Sequence, residues 1–214
     1  MIIHIVAGGP LPLIPNLTQY VSDSCIWVGV DRGLFYILKQ GIKASAGIGD
    51  FDSVSEEELQ WMQEQCENFS IAPAEKDQTD LELALDWALE QKPKKIRIFG
   101  ATGGRLDHAL GSIQLLTKGF SQSVQMEMID KQNIVSLLKP GTYQIQRNLS
   151  YTYISFLPLS REVKGLTLSR DFKYPLVNGD ILWGTSLCVS NQLIAETGTF
   201  SFNHGIVIMV KSKD

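Results

Sequence analysis

Over the first 130 residues, short apolar runs alternate with helical stretches, and this rhythm limits the fold more than any other feature of the chain. The runs at 2–6, 26–30, 46–48, 69–72, 96–99 and 124–129 have strand length, too short for helices. Between them lie helix signals. One helix is expected over about 34–40, stopping at Gly41, a favoured residue just past a helix end. Ser55 with Glu58 forms a capping-box pattern that opens a second helix running to about Cys66. Thr79 with Glu82 opens a third, in which Leu81, Ala84, Leu85, Ala88 and Leu89 recur at helical spacing and Pro93 lies past the end. Asp107 is expected to start a fourth, through about Lys118. Strands alternating with helices call for a mainly parallel sheet covered on both faces.

Beyond about Asp130 the helical period fades. Segments 134–138, 143–146, 151–157, 163–168, 187–189, 199–202 and 206–210 read as strands, punctuated by turn signals at Lys139-Pro140-Gly141, Asn178-Gly179-Asp180 and Glu196-Thr197-Gly198. The expected architecture is an α/β domain over 1–130, followed by an all-β sandwich or barrel-like domain over 131–214. No low-complexity linker and no internal repeat separates them.

Composition excludes several classes of function. A hydrophobic content of 44% with 20% charged residues suits a globular protein, and a net charge of -4 with no Lys/Arg block argues against nucleic acid. No run approaches the roughly 20 apolar residues of a membrane span, and the start reads as a first strand rather than a signal peptide. Cys25, Cys66 and Cys188 are isolated, odd in number and lack metal spacing, so reduced thiols and a cytoplasmic location are expected.

Three acidic loops follow predicted strands: Gly49-Asp50-Phe51-Asp52-Ser53, Lys76-Asp77-Gln78-Thr79-Asp80 and Thr102-Gly103-Gly104-Arg105-Leu106-Asp107-His108. In an open α/β sheet, ligands bind beyond the carboxyl ends of the strands. Carboxylates gathered there repel one another, and a cation relieves that repulsion. Oxygen ligands suit Mg²⁺, which typically links one or two carboxylates to substrate phosphates. Phosphate chemistry assisted by a metal is the first reading.

Each loop also has a plain explanation. Asp50 and Asp52 would face one side of an extended segment, with Phe51 turned into packing, but Asp, Gly and Ser also favour ordinary turns. Thr79 is an ordinary cap, and Asp77 and Asp80 gain from the helix dipole, although free N–H groups at that helix start could also hold a phosphate. Gly103-Gly104 offers backbone N–H groups to an anion, and Arg105 offers a fork for phosphate oxygens. Asp107 suits a metal ligand, an orienter of Arg105 or a cap, and His108 an ordinary first-turn residue. Asp31-Arg32-Gly33 adds a fourth polar turn on the same edge, with Asp31 as a plain helix cap the simple alternative. His4 reads as structural, and Trp27, Trp61, Trp87 and Trp183 are expected to pack in or near cores. The missing Gly-Lys-Ser/Thr ending excludes a Walker loop.

In order and spacing, these motifs resemble the thiamine pyrophosphokinases (thiamine diphosphokinases). The match includes Val30-Asp31-Arg32-Gly33 upstream and Ser190-Asn191 near the end, and it spans essentially the whole chain. The resemblance implies a catalytic α/β domain that binds nucleotide and metal, a β-sandwich that binds thiamine, and a homodimer with the active site at its interface. It implies transfer of pyrophosphate from ATP to the thiamine hydroxyl with Mg²⁺, giving thiamine diphosphate and AMP.

Residue by residue, Asp50 and Asp52 resemble the metal-binding pair, joined by Asp80. Asp77, Gln78 and Thr79 resemble the nucleotide loop, with Asp77 a candidate proton acceptor. Gly103, Gly104, Arg105, Asp107 and His108 fall in the phosphate loop, Asp31 and Arg32 beside the nucleotide, and Ser190 and Asn191 in the thiamine loop. Phe200, Phe202, Trp183 or a residue of the other subunit are candidates to stack on thiamine. Two alternatives remain: a Mg²⁺-dependent nucleotide pyrophosphohydrolase, and a non-catalytic nucleotide- or thiamine-binding protein.

Overall fold

The computed structural model describes residues 1–66, 68–71 and 77–214. They divide into two compact units, Met1–Lys131 and Gln132–Asp214.

The first unit holds β1 (Ile2–Val6), β2 (Cys25–Val30), α1 (Arg32–Lys39), β3 (Ala46–Gly49), α2 (Glu56–Gln65), β4 (Phe69–Ile71), α3 (Asp80–Glu90), β5 (Lys95–Phe99), α4 (Leu106–Leu115), α5 (Gly119–Gln122) and β6 (Gln125–Ile129). The strands pair in parallel in the order β4-β3-β2-β1-β5-β6. Strand order reverses beside β1, so the ends of β1 and β5 border the crevice where open α/β sheets bind ligands. Ile3, Ile5, Val28, Ile96 and Ile98 are buried, giving the near-continuous apolar strands expected of a sheet covered on both faces. The predicted stripe on α3 (Leu81, Ala84, Leu85, Ala88 and Leu89) is buried as a set.

Local chemistry sets the helix starts. The capping box at Ser55 is complete: the Glu58 N–H donates to Ser55 Oγ (3.2 Å) and the Ser55 N–H donates to Glu58 Oε2 (3.1 Å). Such a cap is worth about 1 kcal/mol. α1 begins at Arg32, two residues before the predicted start. Gly33 makes this possible, because a Cβ there would collide with the Val6 carbonyl, so only glycine lets the first turn of α1 sit against the end of β1. α4 starts at Leu106, ahead of the expected Asp107, and follows Arg105, which makes no side-chain cap. Of the predicted segment 69–72, residues 69–71 form β4, and Ala72 lies outside the described residues.

The second unit contains β7 (Asn133–Leu138), β8 (Gly141–Gln146), β9 (Tyr153–Pro158), β10 (Glu162–Leu168), β11 (Leu176–Leu182), β12 (Thr197–Phe202) and β13 (Val207–Ser212). One antiparallel layer runs β7-β13-β9 and the other β11-β10-β12-β8. Ile154, Phe156, Val207 and Met209 of the first layer pack with Val163, Leu166, Ile181, Phe200 and Phe202 of the second in one core, which makes the unit a β-sandwich.

Three local expectations for this unit fail: the turn placed at Glu196-Thr197-Gly198 ends a residue into it, since Thr197 and Gly198 already pair in β12, and two others differ more. Asn178-Gly179-Asp180 is not a turn; it lies inside β11, where Asn178 takes a left-handed φ of 51° and the pairing with β10 shifts register. The turn-forming residues make a bulge instead. Residues 187–189 form no strand, because a turn closes from the Val189 N–H to the Ser186 carbonyl (3.1 Å).

Candidate active site

Beyond the strand ends of the first unit lies a cleft of about 1200 Å³. Gly8-Gly9 after β1 and the loop after β5 form one rim. Gly9 donates its N–H to the Gly100 carbonyl (2.9 Å); a Cβ on Gly9 would collide with that carbonyl, and one on Gly100 with the carbonyl of Ala7. Thr102 Oγ1 donates to the buried carboxylate of Asp130 (2.6 Å), tying this loop to the end of β6. Asp130 carried no signal in the sequence, since a lone Asp at a strand end reads as a turn residue.

The acidic residues converge, though not as the sequence pattern suggested. Carboxylate oxygens of Asp31, Asp50 and Asp80 lie within 4.8 Å of one another. Asp52 is exposed on the cleft wall and is not part of that trio. The extended geometry assumed for the pair is absent, because Phe51 between them is left-handed (φ 58°). The Asp52 N–H instead donates to Asp50 Oδ1 (3.2 Å), closing an Asx turn. Phe51 is buried, as expected, and stacks on Phe69 at 4.4 Å between centroids.

Asp31 takes the place the pattern gave to Asp52. It occupies the N-cap position of α1 but makes no side-chain cap, and its φ of 48° is unusual for a residue with a Cβ. Its Oδ1 accepts the Phe51 N–H (3.3 Å). Burial, then the nearby charge of Asp80, push its carboxyl up to about 6; the Phe51 hydrogen bond opposes this, and Asp50 and Asp52 add to it. Three crowded carboxylates offering only oxygen fit a hard divalent cation.

Arg32 faces away from this trio. Its Nη1 donates to the Ser53 carbonyl (2.8 Å) and to Glu58 Oε2 (3.3 Å), and its Nη2 to Glu58 Oε1 (3.2 Å). It therefore braces the 50–53 loop against the first turn of α2.

Thr79 caps α3, its Oγ1 accepting the Glu82 N–H (3.3 Å), with Asp80 in the first turn. Asp77 is exposed, Gln78 lines the cleft, and Lys76 lies outside the described residues. Gly104, Arg105, Asp107 and His108 line the opposite wall, and Gly103 has φ 78°. Arg105 forks onto Asp107, with Nε to Oδ1 at 3.1 Å and Nη2 to Oδ2. The Arg105 bond, then the His108 N–H, hold the Asp107 carboxyl below its ordinary range. Both side chains are mostly exposed, so Arg105 is free to exchange this partner for a phosphate.

In the second unit, Ser190 has φ 60° and donates its N–H to Ser155 Oγ (3.0 Å). Asn191 is 2% exposed. Its Oδ1 accepts the N–H groups of Tyr174 (3.1 Å) and Gln192 (2.9 Å), and its Nδ2 donates to the Tyr174 carbonyl (2.8 Å). Asn191 thus shapes the loop that presents Tyr174. Phe200 and Phe202 lie in the sandwich core, unavailable to a ligand, whereas Trp183, expected in or near a core, is 66% exposed.

Fold and site together define a class: a doubly wound α/β unit with an acidic, glycine-rimmed cleft at its strand ends, followed by an antiparallel β-sandwich. Residues 17–128 match the family description "Thiamin pyrophosphokinase, catalytic domain", and residues 142–207 match "Thiamin pyrophosphokinase, vitamin B1 binding domain". The chain belongs to the thiamine pyrophosphokinase family. It is 50% identical to a thiamine pyrophosphokinase of Bacillus subtilis, over 99% of both chains. A crystal structure of the Bacillus subtilis protein superposes with a TM-score of 0.94 at 49% identity, covering 100% of both chains. One from Geobacillus thermodenitrificans gives 0.92 at 47% identity, covering 100% of this chain and 98% of the other.

Proposed function

We propose that this enzyme transfers pyrophosphate from ATP to the hydroxyl of thiamine, giving thiamine diphosphate and AMP. The observation that carries the reading is the Asp31, Asp50 and Asp80 oxygen cluster, set at the strand ends of a chain from this family.

The thiamine oxygen attacks the β-phosphorus, the bond from that phosphorus to the oxygen it shares with the α-phosphorus breaks, and AMP leaves with that oxygen. An alcohol is a weak nucleophile, so such transfer depends on alignment and charge neutralisation. Asp31, Asp50 and Asp80 would hold Mg²⁺, with Asp52 at the cleft wall beside them. A metal held there supplies charge stabilisation for the polyphosphate. Arg105 and the amides of Gly103 and Gly104 bind nonreacting phosphate oxygens, and Asp107 parks the Arg105 fork until ATP arrives. Asp77, exposed at the entrance to α3, accepts the hydroxyl proton. Thr79 orders the helix start that points N–H groups at the nucleotide, and His108 lines the wall beside it.

Ser190 and the loop held by Asn191 bind thiamine, with the exposed rings of Tyr174 and Trp183 available for stacking. The working form is a homodimer. Supporting this, Leu106 and Leu110 stand exposed on α4, and Val177, Leu187 and Ile194 in the sandwich unit. A cytoplasmic location agrees with the three free cysteines and with no helix among the described residues being long and apolar enough to cross a membrane.

The test is AMP formation from ATP and Mg²⁺ with and without thiamine. The reading requires dependence on thiamine. Equal AMP release without it would mark a pyrophosphohydrolase, and ligand binding with no AMP at all a non-catalytic binding protein.

A further inference from the structure

We propose that Asp86 and Lys118 are positioning residues that lock the Gln78 amide with its carbonyl oxygen free to accept an amine N–H from a bound heterocycle.

Lys118, on the short turn that follows α4, reaches across to α3. Its Nζ donates to Asp86 Oδ1 (2.7 Å) and Oδ2 (2.9 Å) and lies 2.7 Å from Glu82 Oε1. Glu82 and Asp86 are four residues apart on one helix face, an arrangement that repels on its own. The ammonium between them offsets that repulsion. Gln78 Nε2 then donates to Asp86 Oδ2 (3.1 Å).

A carboxylate only accepts hydrogen bonds. Gln78 must therefore turn its NH₂ toward Asp86, and a flipped amide would set two acceptors against each other. Oε1 is left without a hydrogen-bond partner among the described residues, on a side chain that lines the cleft together with Lys118. An oxygen fixed this way selects a donor. The inference rests on the proposed reaction, whose two substrates each carry an amine on a six-membered nitrogen ring: the amine of adenine and that of the thiamine pyrimidine.

Asp86→Asn separates this role from a merely structural one. Lys118 would keep the introduced oxygen, the introduced NH₂ would face residue 78, and Gln78 would flip to show its own NH₂ to the cleft. The readout is kcat/KM for ATP against inosine triphosphate, and for thiamine against its 4-oxo analogue, oxythiamine. Wild-type enzyme should prefer the amine in both pairs. Asp86→Asn should cut that preference by about tenfold or more in one pair only, which names the heterocycle. Adding Gln78→Glu, which has an oxygen at both ends, should restore most of it. Unchanged preference in both pairs, equal loss in both, or no rescue by the second substitution would overturn the proposal. Failure of the parent reading looks different, because wild-type enzyme would then make no thiamine diphosphate.

Discussion

Asp31 accepts a hydrogen bond from the backbone N–H of Phe51 at 3.3 Å. This one bond joins the turn after β2 to the loop after β3. It explains why an Asp at a helix N-cap position does no capping and why Asp50 swings into reach of Asp31 and Asp80. A Cβ on Gly49 would collide with the same Asp31 carboxylate, so the loop closes only with glycine there.

Asp31→Asn should separate stability from activity. The amide can still accept the Phe51 N–H but no longer adds charge to the crowd. Without metal, the melting temperature should rise by about 2–4 °C, the shift that about 1 kcal/mol makes in a chain of this size. Turnover should fall at least about a hundredfold, or recover only at much higher Mg²⁺. Thermal melts in chelator and a Mg²⁺ titration of rate read both effects.

The pH dependence of stability should carry two opposed contributions. The Asp31 carboxyl is raised from 3.8 to about 6, so the native state holds that proton more tightly than the unfolded chain. Its contribution is full below about pH 4 and is lost as pH rises through 6. His4 is the reverse case. Burial, then the charge of Arg97, lower it from 6.5 to about 4, with a Tyr20 backbone group pulling the other way. Its ring packs 4.4 Å from Trp27. Its contribution is full above about pH 6.5 and lost as pH falls through 4. Denaturant titrations of metal-free protein between pH 4 and 7 should show a steeper rise with pH in Asp31→Asn and a fall with pH in His4→Phe.

The α/β alternation, the α3 stripe and the Ser55 capping box were legible because each repeats a period or spacing that backbone geometry imposes. Asp31 could not be picked out as a member of the acidic trio, since its part depends on a hydrogen bond spanning 20 residues. The extended backbone read for Asp50 and Asp52 is absent for a local reason: a left-handed residue between them breaks the i, i+2 rule. Asn178-Gly179-Asp180 misled in the same way, because the residues that favour a tight turn also favour a bulge inside a strand.

Arg32→Met should reveal which job that arginine performs. Its fork grips Ser53 and Glu58, so its loss should loosen the Asp50 loop and lower kcat by about tenfold or more, with the KM for ATP little changed. A rise in the ATP KM at constant kcat would mean that Arg32 binds nucleotide directly.

The aromatic residues of the sandwich should sort by burial. Phe200→Ala should cost about 3–5 kcal/mol of stability, as an emptied core site does. Trp183→Ala, at an exposed position, should stay within about 0.5 kcal/mol while raising the KM for thiamine. Denaturant unfolding and thiamine-dependent kinetics distinguish the two.

The fate of the terminal phosphate of ATP tests the reaction most directly. With ATP radiolabelled in the γ-phosphate, plus Mg²⁺ and thiamine, the label should appear in thiamine diphosphate in a one-to-one ratio with unlabelled AMP. Label recovered as free pyrophosphate or phosphate, with no labelled thiamine diphosphate, would contradict the account.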